Sequence, residues 1–100
     1  MTRPESFHEI SKNHLKLLAK YIPIVDRVHG PHHPEFREVR RLFDLIVDKV
    51  KKAGSIKPNL DQEWNDLRNI THHYSVPNDV CETYEAVYNA LEELDKAYYS

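Results

Sequence analysis

The chain has 100 residues, of which 40% are hydrophobic and 30% charged, and its formal net charge at pH 7 is −2. This length supports a single domain, residues 1–100, because chains divide into separate domains only beyond about 250 residues. The nearly balanced charges provide no strongly basic surface, so we expect neither nucleic acid nor an anionic membrane as a partner. Cys81 is the one cysteine, which excludes an internal disulfide. The sequence shows neither a signal-peptide pattern nor a membrane-spanning run. Together with the single cysteine, this favours a reducing, cytoplasmic environment.

The low glycine content favours helices. Gly30 and Gly54 are the two glycines, so few positions tolerate the positive φ angles that the tight turns of an all-β fold need. Apolar residues recur at spacings of three and four, which predicts four amphipathic helical segments. Because the connections between the segments are short, consecutive helices are expected to be antiparallel neighbours. The predicted fold is therefore an all-α, up-down-up-down four-helix bundle.

The first segment covers roughly residues 4–29 and contains Pro23. Proline lacks the N–H that an interior helical residue donates, so we expect this helix to be kinked or broken near Pro23. The sequence leaves open whether residues 5–29 form one helix or two. His14 falls within the apolar face of this segment. It is predicted to be either a core histidine whose hydrogen bonds a neighbour satisfies or an inward-facing ligand.

Three further segments follow. The second is predicted to begin near Pro34 and to end at Gly54, a residue type that commonly ends helices. The third is predicted to start with Asn59 as its N-cap and to end before Ser75. Its Trp64 is expected to be central to the packing, since Trp buries the largest side-chain area.

The fourth segment, from about Asn78, carries several tyrosines. They are expected to lie at the edge of the core of a single chain, or alternatively at a homodimer interface, where Tyr is enriched. These residues are Tyr84, Tyr88, Tyr98 and Tyr99. Cys81 lies near the start of this segment with no base beside it in the sequence. We therefore expect Cys81 to be a small buried apolar residue and not a nucleophile.

The chain contains seven histidines, and imidazole is both the commonest metal ligand and a group that titrates near neutral pH. The adjacent pairs His32-His33 and His72-His73 do not form two-point clamps, because neighbours on a helix point about 100° apart. No His-x-x-x-Glu or His-Glu-x-x-His motif places two ligands on one helix face. The spacing alone therefore argues against an ordinary di-metal site.

Two groups of residues resemble a known family. The first comprises Phe7-His8, Val28-His29-Gly30 and His33-Pro34-Glu35-Phe36. The second is the pattern Arg68-x-x-Thr71-x-x-Tyr74-x-x-Pro77-x-x-x-Cys81-x-Thr83. Together they are similar to the hemerythrin-like domain of the iron–sulfur cluster repair di-iron proteins. This resemblance implies a four-helix bundle of the kind that holds a non-haem di-iron centre between histidine and glutamate ligands.

The resemblance carries over few of the family's ligands. His8 matches the first ligand position and His29 the second, so these two are the candidate metal ligands. The next pair of positions falls on Ala53 and Lys57, which cannot replace a histidine and a glutamate, and the last positions lie beyond the end of this sequence. In one continuous helix His8 and His29 would be about 31 Å apart. They could share a metal only if the chain turned back within the first segment.

Three functional hypotheses remain open. The first is a degenerate hemerythrin-like bundle that is not an enzyme, has no cofactor in the monomer and acts as a binding or regulatory module for a protein partner or a second copy. The second is a protein that binds iron, zinc or another divalent metal at a site completed by dimerisation and linked to iron–sulfur cluster repair. The third is a small helical protein whose neutral histidines gain charge on unfolding, so that stability falls as the pH decreases.

Overall fold

The computed structural model describes residues 7–54 and 56–100, apart from the side chain of His8. Within these ranges every regular element is an α-helix: α1 (Phe7–His29), α2 (Glu35–Ala53), α3 (Asp61–Ile70) and α4 (Glu82–Tyr98). α1 packs against both α2 and α4, and α3 packs against α2. This arrangement confirms the predicted all-α four-helix bundle. Within the described residues, no helix combines the length and the apolar character needed to cross a membrane.

α1 continues through Pro23 as one helix, so the alternative of two helices is wrong. Proline cannot donate a hydrogen bond to the carbonyl of Ala19, four residues earlier. Both residues are exposed, so water can hydrate that carbonyl. Because α1 is continuous, His8 and His29 lie at its opposite ends, about 31 Å apart along the axis. The two histidines of one chain therefore cannot bind the same metal ion.

α2 follows the predicted boundaries. Pro34 immediately precedes its first residue, and Gly54 ends it with a φ of 62°, which favours glycine. The buried residues of α2 recur at three- and four-residue spacing along one face. They are Phe36, Val39, Leu42, Phe43 and Ile46.

α3 and α4 are shorter than the sequence predicts. α3 begins at Asp61 with Leu60 in the N-cap position, although the Asn59 side chain does accept a hydrogen bond from the Asp61 N–H, at 3.2 Å. α4 begins at Glu82 and not at Asn78.

α3 ends at Ile70 because the hydroxyl of Thr71 interrupts the helical pattern. The Thr71 hydroxyl donates to the carbonyl of Leu67 at 2.6 Å and accepts a hydrogen bond from the N–H of Tyr74 at 2.8 Å. Three consecutive residues then adopt left-handed backbone angles: His72, His73 and Tyr74, with φ of 53°, 58° and 62°. The prediction that Tyr74 continues the helix is wrong.

The core is rich in aromatic side chains. Trp64 is fully buried, and its ring lies 6.4 Å from that of Phe7 and 6.1 Å from that of Tyr98, which confirms its predicted central position. Tyr84, Tyr88 and Tyr98 are also buried within the chain. The alternative that these three tyrosines form a dimer interface is therefore wrong.

Candidate functional site

The end of α1 and the start of α4 bring a histidine and the cysteine together. His29 is the last residue of α1, and Cys81 directly precedes α4. The His29 Nε2 lies 3.2 Å from the Cys81 Sγ, within hydrogen-bond distance for sulfur. Cys81 is exposed, so the prediction of a buried, apolar role is wrong. The two residues are 52 positions apart, and no local sequence signal indicates the contact.

His33, in the α1–α2 connection, lies beside this pair. Its Nδ1 is 3.1 Å from the Glu35 carboxylate, and its Nε2 is 3.1 Å from that of Asp79. Burial opposes the charged form of the ring, but the hydrogen bonds and negative charges of Glu35 and Asp79 outweigh it and raise the pKa of His33. The hydrogen bond to His33 in turn lowers the pKa of Asp79. His33 therefore forms a charge-assisted bridge between the two connections at this end of the bundle.

The ring of Tyr84 packs against the rings of both His29 and His33. Its ring centroid lies 5.5 Å from that of His29 and 5.7 Å from that of His33, each in an edge-on arrangement. The Tyr84 hydroxyl is 3.1 Å from that of Tyr88. Burial raises the pKa of both tyrosines, so the phenols stay neutral. The interior below the histidines is consequently aromatic and uncharged.

His14 lies apart from this cluster. Its Nδ1 is 3.1 Å from the carbonyl oxygen of Ile10, and its Nε2 is 2.7 Å from the Glu93 carboxylate. Both ring nitrogens therefore have protein partners. This arrangement agrees with the first of the two alternatives predicted for His14, in which neighbouring residues satisfy its hydrogen bonds, and not with an inward-facing ligand.

The arginine and tyrosine of the second resemblance pattern converge on one buried carboxylate. Asp95 of α4 is 6% exposed and accepts hydrogen bonds from the Arg68 guanidinium at 2.7 and 2.9 Å. The Tyr74 hydroxyl donates to the same carboxylate at 2.7 Å. The hydrogen bonds to Asp95 raise the pKa of Arg68, and burial raises that of Tyr74. This network, here called the Asp95 network, fixes the path of the connection that leads to Cys81.

The described residues do not fit a di-iron centre. His29 and Cys81 are two ligands, whereas protein metal sites generally supply three or four. Among the residues that the structure describes, no three His, Cys, Asp or Glu side chains form a group that could hold a metal ion. At the positions of the third and fourth family ligands, Ala53 is half-buried and the exposed Lys57 places its Nζ 4.2 Å from the centre of the Tyr98 ring. The side chain of His8 lies outside the described part.

Comparisons with known proteins relate most of the chain to one group. It is 23% identical to the iron-sulfur cluster repair protein ScdA of Staphylococcus haemolyticus, over 90% of this chain and 54% of that protein. It is 24% identical to ScdA of Staphylococcus epidermidis RP62A, over 91% of this chain and 54% of that protein.

The chain spans about half the length of these curated relatives. The matched region of 121 residues exceeds the 100 residues of this chain, so the relatives contain residues that this chain lacks. No family model and no solved structure matches the chain. The chain is a distant relative of the iron-sulfur cluster repair proteins.

Proposed function

We propose that this chain is a hemerythrin-like bundle without its own di-iron centre, which acts in the cytoplasm as a binding or regulatory module and not as an enzyme. The observation that supports this function most directly is the filling of the bundle interior by its own side chains. The largest fully buried ones include Phe36, Trp64, Tyr84 and Tyr88. Iron prefers carboxylate and imidazole ligands, and these buried groups offer neither. Burial raises the pKa of Tyr84 and Tyr88 and so disfavours the phenolate form in which a tyrosine binds iron.

The carboxylates that are buried in the described part already have cationic partners. Glu63 lies 2.7 Å from the Lys49 ammonium group, and Asp95 lies 2.7 Å from the Arg68 guanidinium. Recruiting Asp95 to a metal would leave the partly buried Arg68 guanidinium without its partner, which is costly. Recruiting Glu63 would only release the exposed Lys49 ammonium group. The charge balance of the interior is therefore consistent with a bundle that needs no metal.

The exposed side of the His29–Cys81 end provides a surface for a protein partner. A shallow depression of about 300 Å³ lies beside Cys81. It is lined by Val76, Pro77, Asn78, Val80, Cys81, Glu82 and Glu85. Its lining combines the apolar Val76, Pro77 and Val80 with the polar Asn78, Glu82 and Glu85 and exposes more polar than apolar surface, as the rim of a protein–protein interface does.

The metal content of the protein tests this function. Untagged protein, purified without chelator from iron-supplemented cells, is analysed by plasma mass spectrometry together with a His29→Ala variant. We expect iron and zinc far below one ion per chain in both proteins. Iron near one or two ions per chain in the wild type, lost in the variant, would contradict the proposal.

A second candidate function is metal binding at a site that two chains complete. The observation that favours it is the 3.2 Å contact of His29 and Cys81, which gives half of a tetrahedral His₂Cys₂ zinc set. In this alternative, at protein concentrations where the chelated chain is monomeric, zinc doubles the sedimentation mass, a chelator reverses the change, and Cys81→Ser abolishes it. A mass that does not respond to zinc would exclude this alternative.

A further inference from the structure

α1 presents a second apolar surface besides the one that faces the core. Its members, here called the α1 row, are Leu17, Tyr21, Ile24 and Val28. Three of them are exposed large apolar residues, with exposed fractions of 38%, 40% and 55% for Leu17, Ile24 and Val28. Tyr21 is half-buried. Their spacings of four, three and four place them on one side of the helix, as in the contact seam of a coiled coil.

The α1 row is rotated by about 100° from the core-facing side of the helix, because each of its members precedes a buried or half-buried residue by one position. The core-facing residues next to it include Leu18, Ile22 and Val25, which are buried. The row is therefore a separate surface on the outside of the bundle. Such regularly spaced apolar residues on one exposed helix face are typical of an interaction site.

Charges of opposite sign flank the α1 row. α4 lies on one side of it, as the contact between His14 and the exposed Glu93 shows. Glu82, which is also exposed, precedes Glu93 by eleven residues, or about three helical turns, and therefore lies on the same face of α4. On the side of the row away from α4, α1 presents the exposed Lys16, Lys20 and Arg27. The surface thus has an acidic bank on α4, Glu82 and Glu93, and a basic bank on α1, Lys16, Lys20 and Arg27.

We propose that the α1 row is a homodimer interface in which the α1 helices of two copies pack in parallel. A twofold axis parallel to α1 exchanges the two banks, so the basic bank of each copy meets the acidic bank of the other. An axis perpendicular to α1 in the plane of the interface would instead place like charges opposite each other. Because each copy carries both an acidic and a basic bank, a second copy of the chain pairs with both banks at once.

This dimer does not depend on the proposed function, because its apolar contacts include neither His29 nor Cys81. Glu82 is the residue that its acidic bank shares with the depression beside Cys81, so the apolar α1 row distinguishes the two surfaces. It forms in the presence of a chelator, whereas the zinc-bridged dimer of the second candidate does not. A failure of either idea can therefore be recognised separately.

Sedimentation of the full chain in chelator tests the apolar part of the interface. We expect the wild type to dimerise below about 1 mM, the weak end of specific association. The Ile24→Glu/Val28→Glu variant should raise the dissociation constant at least about tenfold, since it places charges in the apolar row. The matched control is Ile56→Glu, which adds a charge at an exposed apolar residue in the α2–α3 connection and should leave the constant unchanged. Circular dichroism verifies that all variants are folded.

A charge-exchange experiment tests the parallel arrangement. Lys16→Glu/Lys20→Glu gives the basic bank a net negative charge, with Arg27 left in place, and Glu82→Lys/Glu93→Lys makes both banks basic. Each variant alone should be largely monomeric, and an equimolar mixture should restore a dimer containing one copy of each. A wild type that remains monomeric to about 1 mM in chelator would overturn the proposal. So would an equal loss of dimer in Ile56→Glu, or a mixture that stays monomeric.

Discussion

The two ends of the bundle differ in what their side chains do. At the end where α4 finishes, Trp64, Phe7 and Tyr98 are buried against one another, and the Tyr98 hydroxyl accepts from the Leu60 N–H and donates to the carbonyl of Pro58. At the end where α4 begins, His29 and Cys81 form a partly exposed pair of titratable groups. The closed aromatic end holds the helices together, and the open polar end is available for chemistry or binding. Mutations at the two ends should therefore affect different properties.

The largest expected effect is at the aromatic end. Trp64→Ala should lower the free energy of unfolding by about 3 to 5 kcal/mol, because it leaves a cavity in the core. Trp64→Phe is the matched control. It keeps a buried ring, and since the indole N–H has no hydrogen-bond partner among the residues that the structure describes, it removes no hydrogen bond seen there. Urea denaturation measures both variants, and a loss below about 1 kcal/mol for Trp64→Ala would show that α3 is peripheral.

The Asp95 network, between the two ends, should show the next largest effect. Asp95→Asn should cost about 3 kcal/mol, because it removes the charge that partners Arg68 in a mostly buried site. Glu92→Gln serves as a control on the same helix, since its contact with Lys96 is 4.0 Å long and more exposed. The control should change stability by less than about 0.5 kcal/mol. Equal losses in the two variants would mean that the network does not stabilise the fold specifically.

A glycine substitution in the left-handed turn after α3 should raise the stability of the protein. His73 is exposed and has a φ of 58°, a conformation that costs a residue with a side chain about 1 to 2 kcal/mol and costs glycine little. His73→Gly should therefore stabilise the protein by about 1 kcal/mol in urea denaturation. His32→Gly, at an exposed position without a positive φ, should not stabilise it. Destabilisation by His73→Gly would contradict the strain assigned to this turn.

The smallest expected effect is a pH dependence at the open end. Because the pKa of His33 is raised in the folded protein, its bridge contributes stability that is fully present below the unfolded pKa of about 6.5 and is lost as the pH rises through the folded pKa. The stability difference between wild type and His33→Gln should be larger at about pH 5.5 than at about pH 8. A difference that does not change with pH would contradict this role. For His33 the sign is opposite to the acid-induced loss predicted for neutral histidines.

The sequence predicts the helical architecture well because its main signals are local. The spacing of apolar residues, the position of Gly54 and the size of Trp64 depend on neighbouring residues or on one side chain. The candidate site depends on contacts between distant residues, such as His29 with Cys81, which periodicity does not contain. The predicted end of α3 is wrong for a different reason: the Thr71 hydroxyl forms hydrogen bonds that end the helix, although the apolar spacing continues to Tyr74.

The most direct test of the central claim, that the bundle interior is complete without metal, is a thermal unfolding curve recorded with chelator and, anaerobically, with excess Fe(II). A ligand that binds the folded state raises the melting temperature by mass action. We expect the two curves to coincide. A melting temperature several degrees higher with Fe(II), lost again on adding chelator, would contradict the claim and restore a metal centre to this fold.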